Sequence, residues 1–162
     1  MTRDQQVLKG MTAQEPRKAT QGHPERDAQT ALFRFLREWE GKYPELAEIH
    51  ASVNGAFFGY DTAARARGAQ AARAGMLAGV WDIHVPLPRF YPDLGGSLHG
   101  MYIEMKSATG RLSPEQERFG ATMKRRGYVC VVARTWEEAA RAIVDYAGIK
   151  NTMIDAILGG TR

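Results

Sequence analysis

Apolar residues begin to recur at helical spacing only after Pro24. Ala28, Leu32, Phe35, Leu36 and Trp39 then fall on one stripe and predict a helix from Pro24 to about Glu40, with proline in its first turn. Residues 1–22 are polar, lack a sustained apolar period, and read as a flexible N-terminal arm. Beyond the KYPE turn, EIHASVNG alternates as a strand does. Its closing Asn-Gly, followed by AFFGY, predicts a hairpin or strand-turn-strand. Asp61 stands where a cap belongs, ahead of the alanine-rich helix TAARARGAQAARAG.

From there strand and helix alternate. A strand around Asp82 in GVWDIHV runs into PLPRFYPDLGGSLHG, whose prolines and glycines predict an irregular loop leading to a neighbouring strand, Met101 to Lys106. Ser113, Pro114 and Gln116 spell a helix start with a capping box, and that helix should end near Gly127. Tyr128 to Ala133 is a continuous apolar strand. Thr135 and Glu138 repeat the capping pattern for a helix to about Tyr146. A strand-helix-strand crossover favours a parallel pair. The expected architecture is one α/β domain over residues 23–148, a central mixed β-sheet flanked by helices. Residues 149–162 add a short helix, NTMIDAIL, whose apolar side either folds back on the domain or forms a dimer contact.

Composition fits this reading: 162 residues with 44% hydrophobic and 25% charged positions can bury one core but hardly two. The net charge of +4 suits a polyanionic partner without requiring one. Its distribution says more, since residues 106–126 carry six Lys/Arg against two Glu, while residues 81–105 carry one Arg against three acids. An acidic centre thus borders a basic rim. The single cysteine, Cys130, excludes an internal disulfide and reads as a small core residue. His23, His50, His84 and His99 have no zinc-like spacing. No run approaches the roughly 18 apolar residues of a membrane span, and a cytosolic protein is expected.

The candidate chemistry lies in Asp82, Glu104 and Lys106. Residues two apart on a strand share a face, so Glu104 and Lys106 project together while Ile103 and Met105 point the other way. With Asp82 on the adjacent strand, two carboxylates can hold a hard divalent cation, Mg²⁺ or Mn²⁺, and a lysine can steer the attacking water. This is the equipment of a metal-dependent nuclease. Taken alone, the E-x-K spacing is a weak motif and more often that of an ion pair on an exposed strand. Arg65, Arg67, Arg73, Arg111, Lys124, Arg125 and Arg126 are candidate phosphate contacts, each also readable as solvated surface. His84 shares the strand face of Asp82 and can approach substrate or serve as a hydrogen-bonded structural residue.

The order Asp strand, loop, E-x-K strand, helix, apolar strand, helix resembles the PD-(D/E)xK nuclease superfamily, whose core is restriction-endonuclease-like. Over roughly residues 23–147 the finer text resembles its VRR-NUC branch, the virus-type replication-repair nucleases. The matching residues are Glu25 and Gln29 in the first helix, the turn Val53 to Gly55 and the approach Gly75, Gly79, Val80, Trp81, Asp82. With them go Ile103-Glu104-Met105-Lys106, the link Gly110 to Gln116, and Gly127-Tyr128. Trp81 departs from the family's usual proline and Met105 from its usual leucine. Trp81 is then either a buried core ring or an aromatic for stacking bases.

The resemblance implies that Asp82 and Glu104 ligate metal, that the Met105 carbonyl is a backbone ligand, and that Lys106 is the catalytic lysine. It adds Glu25 as a further acidic ligand and gives Gln116 a supporting role. Read without it, Glu25 is either a favourable charge in a first helical turn or, on one stripe with Gln29, Leu32 and Leu36, an acid led toward the core. Gln116 is the capping-box residue, and from the face it shares with Phe119 and Met123 its amide can also reach a metal-bound water or a ligand carboxylate. It also implies a site at one edge of the sheet, a homodimer, and cleavage of branched or four-way junction DNA. The rivals are a DNA-binding or assembly protein that keeps the nuclease fold without turnover, and a small-molecule hydrolase using the same carboxylates.

Overall fold

The computed structural model describes residues 24–52, 62–91 and 96–159, apart from the side chains of 62–66 and Tyr91. The expected arm, the turn Val53 to Gly55, the AFFGY segment and the Asp61 cap lie outside them. In chain order the elements are α1 (Pro24–Trp39), a 3₁₀ turn (Pro44–Leu46), β1 (His50–Ala51), α2 (Thr62–Arg73), β2 (Ile83–Val85), β3 (Arg89–Tyr91) and β4 (Gly96–Leu98). They continue with β5 (Gly100–Met105), α3 (Pro114–Arg125), β6 (Tyr128–Ala133), α4 (Trp136–Ala147) and α5 (Thr152–Ile157).

The main sheet has the order β1-β2-β5-β6. β1 and β5 run antiparallel to β2, and β5 runs parallel to β6, with α3 as the crossover. The fold is therefore α/β with a mixed sheet flanked by helices, as the residue pattern predicts. The link between β2 and β5 is not irregular throughout: Arg89–Tyr91 pairs with Gly96–Leu98 as a separate two-stranded ribbon. Prolines and glycines there punctuate the ribbon rather than abolish it. Among the described residues of the EIHASVNG segment, His50 and Ala51 form a strand, and they pair with His84 and Ile83.

One face of the sheet is the core. Ile83, Val85, Met101, Ile103, Met105 and Ala133 point into it and meet Leu32, Phe35 and Leu36 of α1 and Ala139, Ala140, Ile143 and Val144 of α4. Each large aliphatic or aromatic side chain fully buried there contributes about 1.5–3 kcal/mol. α5 docks on this body: Ile154 is buried, the Asn151 amide donates to the Tyr43 hydroxyl at 2.8 Å, and Arg141 pairs with Asp155 at 2.6 Å. Of the two alternatives for the C-terminal segment, the helix folds back on its own domain. No helix among the described residues is long and apolar enough to cross a membrane.

The opposite face carries α3. Its start is the expected capping box, with Ser113 Oγ accepting from Gln116 N–H and Gln116 Oε1 accepting from Ser113 N–H. At α4 only half of that pattern forms. Thr135 caps Glu138 N–H, but the Glu138 carboxylate accepts from Arg134 N–H, one residue earlier than a capping box requires.

Candidate functional site

The pairing of Ile83 with Ile103 sets Asp82 opposite Glu104 on neighbouring strands, both on the face beneath α3. These are the two inner strands. The group therefore lies at the strand ends in mid-sheet, not at a sheet edge as expected, because β1 pairs outside β2 and β6 outside β5.

Asp82 turns toward β5, its Oδ2 accepting from Met105 N–H at 2.8 Å. A strand residue sends its N–H and C=O to the same side, so the Met105 carbonyl leaves β5 toward Asp82 as well. Lys106 Nζ lies 2.8 Å from Glu104 Oε1, which also accepts from the Gln116 side-chain amide. The exposed-strand alternative fails, since Glu104 is only 1% exposed. Its second oxygen, Oε2, is buried and meets no hydrogen-bond partner of ordinary geometry.

Burial dominates the electrostatics. Desolvation pushes the Glu104 carboxyl up to about 7 against the pull of the Lys106 ammonium, and the charge of Asp82 adds to the rise. Desolvation also raises Asp82, opposed by the Met105 N–H and Lys106 and reinforced by Glu25. Two raised carboxyls on one face, one with an unpartnered oxygen, form a donor set short of positive charge. Lys106 supplies one charge to one oxygen, and a hard cation would satisfy the rest. The residues present thus fit a divalent ion.

Three neighbours hold the group in place. Gln116 performs both alternatives at once, its Oε1 closing the capping box and its Nε2 binding Glu104. Trp81 is buried, donates its indole N–H to the Gln116 carbonyl at 2.9 Å, and lies so close to Gly120 that an added Cβ would meet its ring at 2.5 Å. The base-stacking alternative for Trp81 is thereby set aside. Gly79, with φ +81°, brings the chain against the backbone of Glu115, where a Cβ would stand 2.5 Å from the carbonyl carbon. Both glycines let the approach to Asp82 lie tight on α3.

Glu25 accepts from Ser107 N–H at 2.9 Å, at the exit of β5, and acts on Asp82 through its charge. Among the described residues no group of three or more His, Cys, Asp and Glu side chains gathers to hold a metal, so Glu25 does not complete a three-carboxylate cluster with Asp82 and Glu104. Arg73, Arg111, Lys124, Arg125 and Arg126 are exposed, as is Arg67, which has an electrostatic partner; the Arg65 side chain lies outside the described set.

One contact had no sequence signal and another only a partial one. Arg134 follows β6 and crosses to the exit of β5, donating to the Ser107, Ala108 and Gly110 carbonyls at 2.5, 3.1 and 3.2 Å. His84 stacks on Tyr102 with ring centroids 4.6 Å apart, one transverse row from the acids, and burial lowers its pKa. Alternation marked the shared face of Asp82 and His84. The ring pairing needed the register of two strands.

This architecture, an Asp strand and an E-x-K strand side by side beneath a crossover helix, defines an α/β fold of restriction-endonuclease-like type. No family model and no curated protein matches the chain. Among solved structures, it is similar to a VRR_NUC domain protein at 23% identity and a TM-score of 0.61, over 81% of this chain and 93% of that one. At that identity the likeness establishes the fold.

Proposed function

We propose that the protein is a metal-dependent deoxyribonuclease hydrolysing phosphodiester bonds, with Asp82, Glu104 and the Met105 carbonyl holding Mg²⁺ or Mn²⁺. The observation that carries this reading is the buried Glu104 carboxylate with its unpartnered Oε2, set beside Asp82 and Lys106. Keeping a carboxylate almost wholly out of water costs several kcal/mol even with one lysine beside it, which a fold tolerates where the charge is used. A divalent cation held by Asp82, Glu104 and the Met105 carbonyl would supply positive charge toward a phosphate and acidity to a water.

The chain's own residues do the remaining work. Lys106 directs its ammonium to the phosphate and attacking water from a position fixed by Glu104. Gln116 clamps Glu104 from α3, and Glu25 pins the strand exit through Ser107 N–H. Exposed Arg111, Lys124 and Arg125, together with Arg65, Arg67 and Arg73 on α2, are proposed contacts for the DNA backbone, positioning it without reading sequence. The finer reading, paired cuts in branched or four-way junction DNA by a homodimer, rests on the family resemblance and the symmetry such substrates share with twofold dimers.

The test is a panel of junction, flap, single-stranded and linear duplex DNA incubated with Mg²⁺ or Mn²⁺ and with chelator. Cutting that vanishes in chelator and in Asp82→Ala, with DNA binding kept, is the expected result. Salt-sensitive binding with no cutting on any substrate or metal would make the protein a non-catalytic DNA binder instead.

A further inference from the structure

The lysine of the candidate site is the last residue held by the sheet: Lys106 N–H donates to Ala133 O at 2.9 Å, and the chain then turns away through Ser107 to Gly110. A lysine at the end of a strand has no ladder beyond it to fix its direction. Here the next peptide groups are gripped from both sides. Ser107 N–H donates to Glu25 of α1. The Ser107 carbonyl, with those of Ala108 and Gly110, accepts from one guanidinium nitrogen of Arg134. Arg134 is itself anchored, since its backbone directly follows Ala133 and its N–H donates to Glu138 at 2.7 Å.

We infer that Arg134 is a positioning residue for the Glu25-Lys106 side of the site. Its guanidinium, closed over three carbonyls of one turn, fixes the exit of β5 and with it where the Lys106 ammonium sits against Glu104. The chemistry suits arginine through its permanent charge and rigid planar head: one guanidinium nitrogen, with two N–H groups shared among three converging carbonyls, is held in place by the plane of the group, whereas an ammonium sits on a flexible stem. Phosphate binding is the competing use of an exposed arginine beside a nuclease site. The two differ in what is lost when the side chain is removed.

The inference deepens the nuclease reading and rests on it for its kinetic consequence alone. Arg134→Ala and Arg134→Lys, as full-length protein, are compared with wild type in three measurements. Cleavage with Mg²⁺ should show kcat lowered by about 10–100-fold in Arg134→Ala and KM within about twofold, because misplacement of about 1 Å at a reacting group costs up to that much. Arg134→Lys should recover part of kcat. DNA affinity and its dependence on salt should be unchanged. A weaker affinity with a salt slope smaller by about one, at unchanged kcat, would mark a phosphate contact and overturn the inference.

Amide hydrogen exchange at Lys106 to Gly110 is read in the same proteins without DNA. Faster exchange confined to this turn, at a melting temperature within a few degrees of wild type, is expected. Unchanged exchange would overturn the inference whatever the activity. If wild type cuts nothing, the nuclease reading fails, and the exchange result still decides whether Arg134 holds the turn.

Discussion

The two faces of the main sheet are built from the same strands and obey opposite rules. On one, Ile83, Val85, Ile103 and Met105 join an apolar cluster with side chains of α1 and α4. On the other, at the alternate positions of the same strands, Asp82, His84, Tyr102 and Glu104 lie beneath α3. The first is closed to water, whereas Asp82, His84 and Tyr102 on the second stay partly exposed. Among the described residues each side holds a buried polar atom without a hydrogen-bond partner, the Trp39 indole nitrogen on the first and the Glu104 Oε2 and His84 Nε2 on the second, and only the second includes a carboxylate. The apolar face explains why the chain folds. The polar face is a local departure from that logic, of the kind that marks a site where chemistry is done.

Substitutions that separate the faces give the largest effects. Asp82→Ala or Lys106→Ala should lower the cleavage rate by about 10²-fold or more while leaving cooperative unfolding intact. Ile103→Ala, one residue from Glu104 but on the other side, should do the reverse. It is expected to cost about 2–5 kcal/mol of stability by denaturant unfolding, with little change in rate per folded molecule. A rate loss in Ile103→Ala matching that of Asp82→Ala would erase the distinction.

The faces also differ in their response to pH. The Glu104 carboxyl, ordinarily near 4.5, is raised to about 7 when folded. Between those values the metal-free folded protein holds a proton that the unfolded chain has released. The contribution of this carboxyl to stability is thus fully present below about 4.5 and is lost as pH rises to about 7. The full change is at most about 3 kcal/mol and less to the extent that water reaches the site. Urea midpoints from pH 5 to 8 should show this slope in wild type and lose it in Glu104→Gln. Smallest of all, Lys124→Ala on the exposed side of α3 should leave stability unchanged and reduce the salt slope of DNA binding by about one.

Much of this was legible because local chemistry and tertiary structure agree. The Ser113 capping box, the stripe from Leu32 to Trp39 and the alternation of Ile103, Glu104, Met105 and Lys106 each specify a conformation that the fold then uses. Both roles of Gln116 were visible as alternatives, the cap from local spacing and the reach to a carboxylate from its helix face; that it fills both at once required the helix to cross the sheet. Two things depend on distance and were hidden. Arg134 meets Ser107 across 27 positions and no pattern around it announces the contact. Trp81 was ambiguous until its ring was seen lying on Gly120. The ribbon of β3 and β4 was missed because turn residues and short edge strands share the same composition.

The central claim is that buried Glu104 and Asp82 together hold a divalent cation. Titration calorimetry with Mn²⁺ at pH 8 tests it without DNA or turnover. Wild type should take up the ion, and binding should weaken as pH falls through about 7, where protons compete for Glu104. Both Asp82→Ala and Glu104→Gln should bind at least about tenfold more weakly. Wild type that takes up no Mn²⁺, or variants that bind as wild type does, would contradict the account.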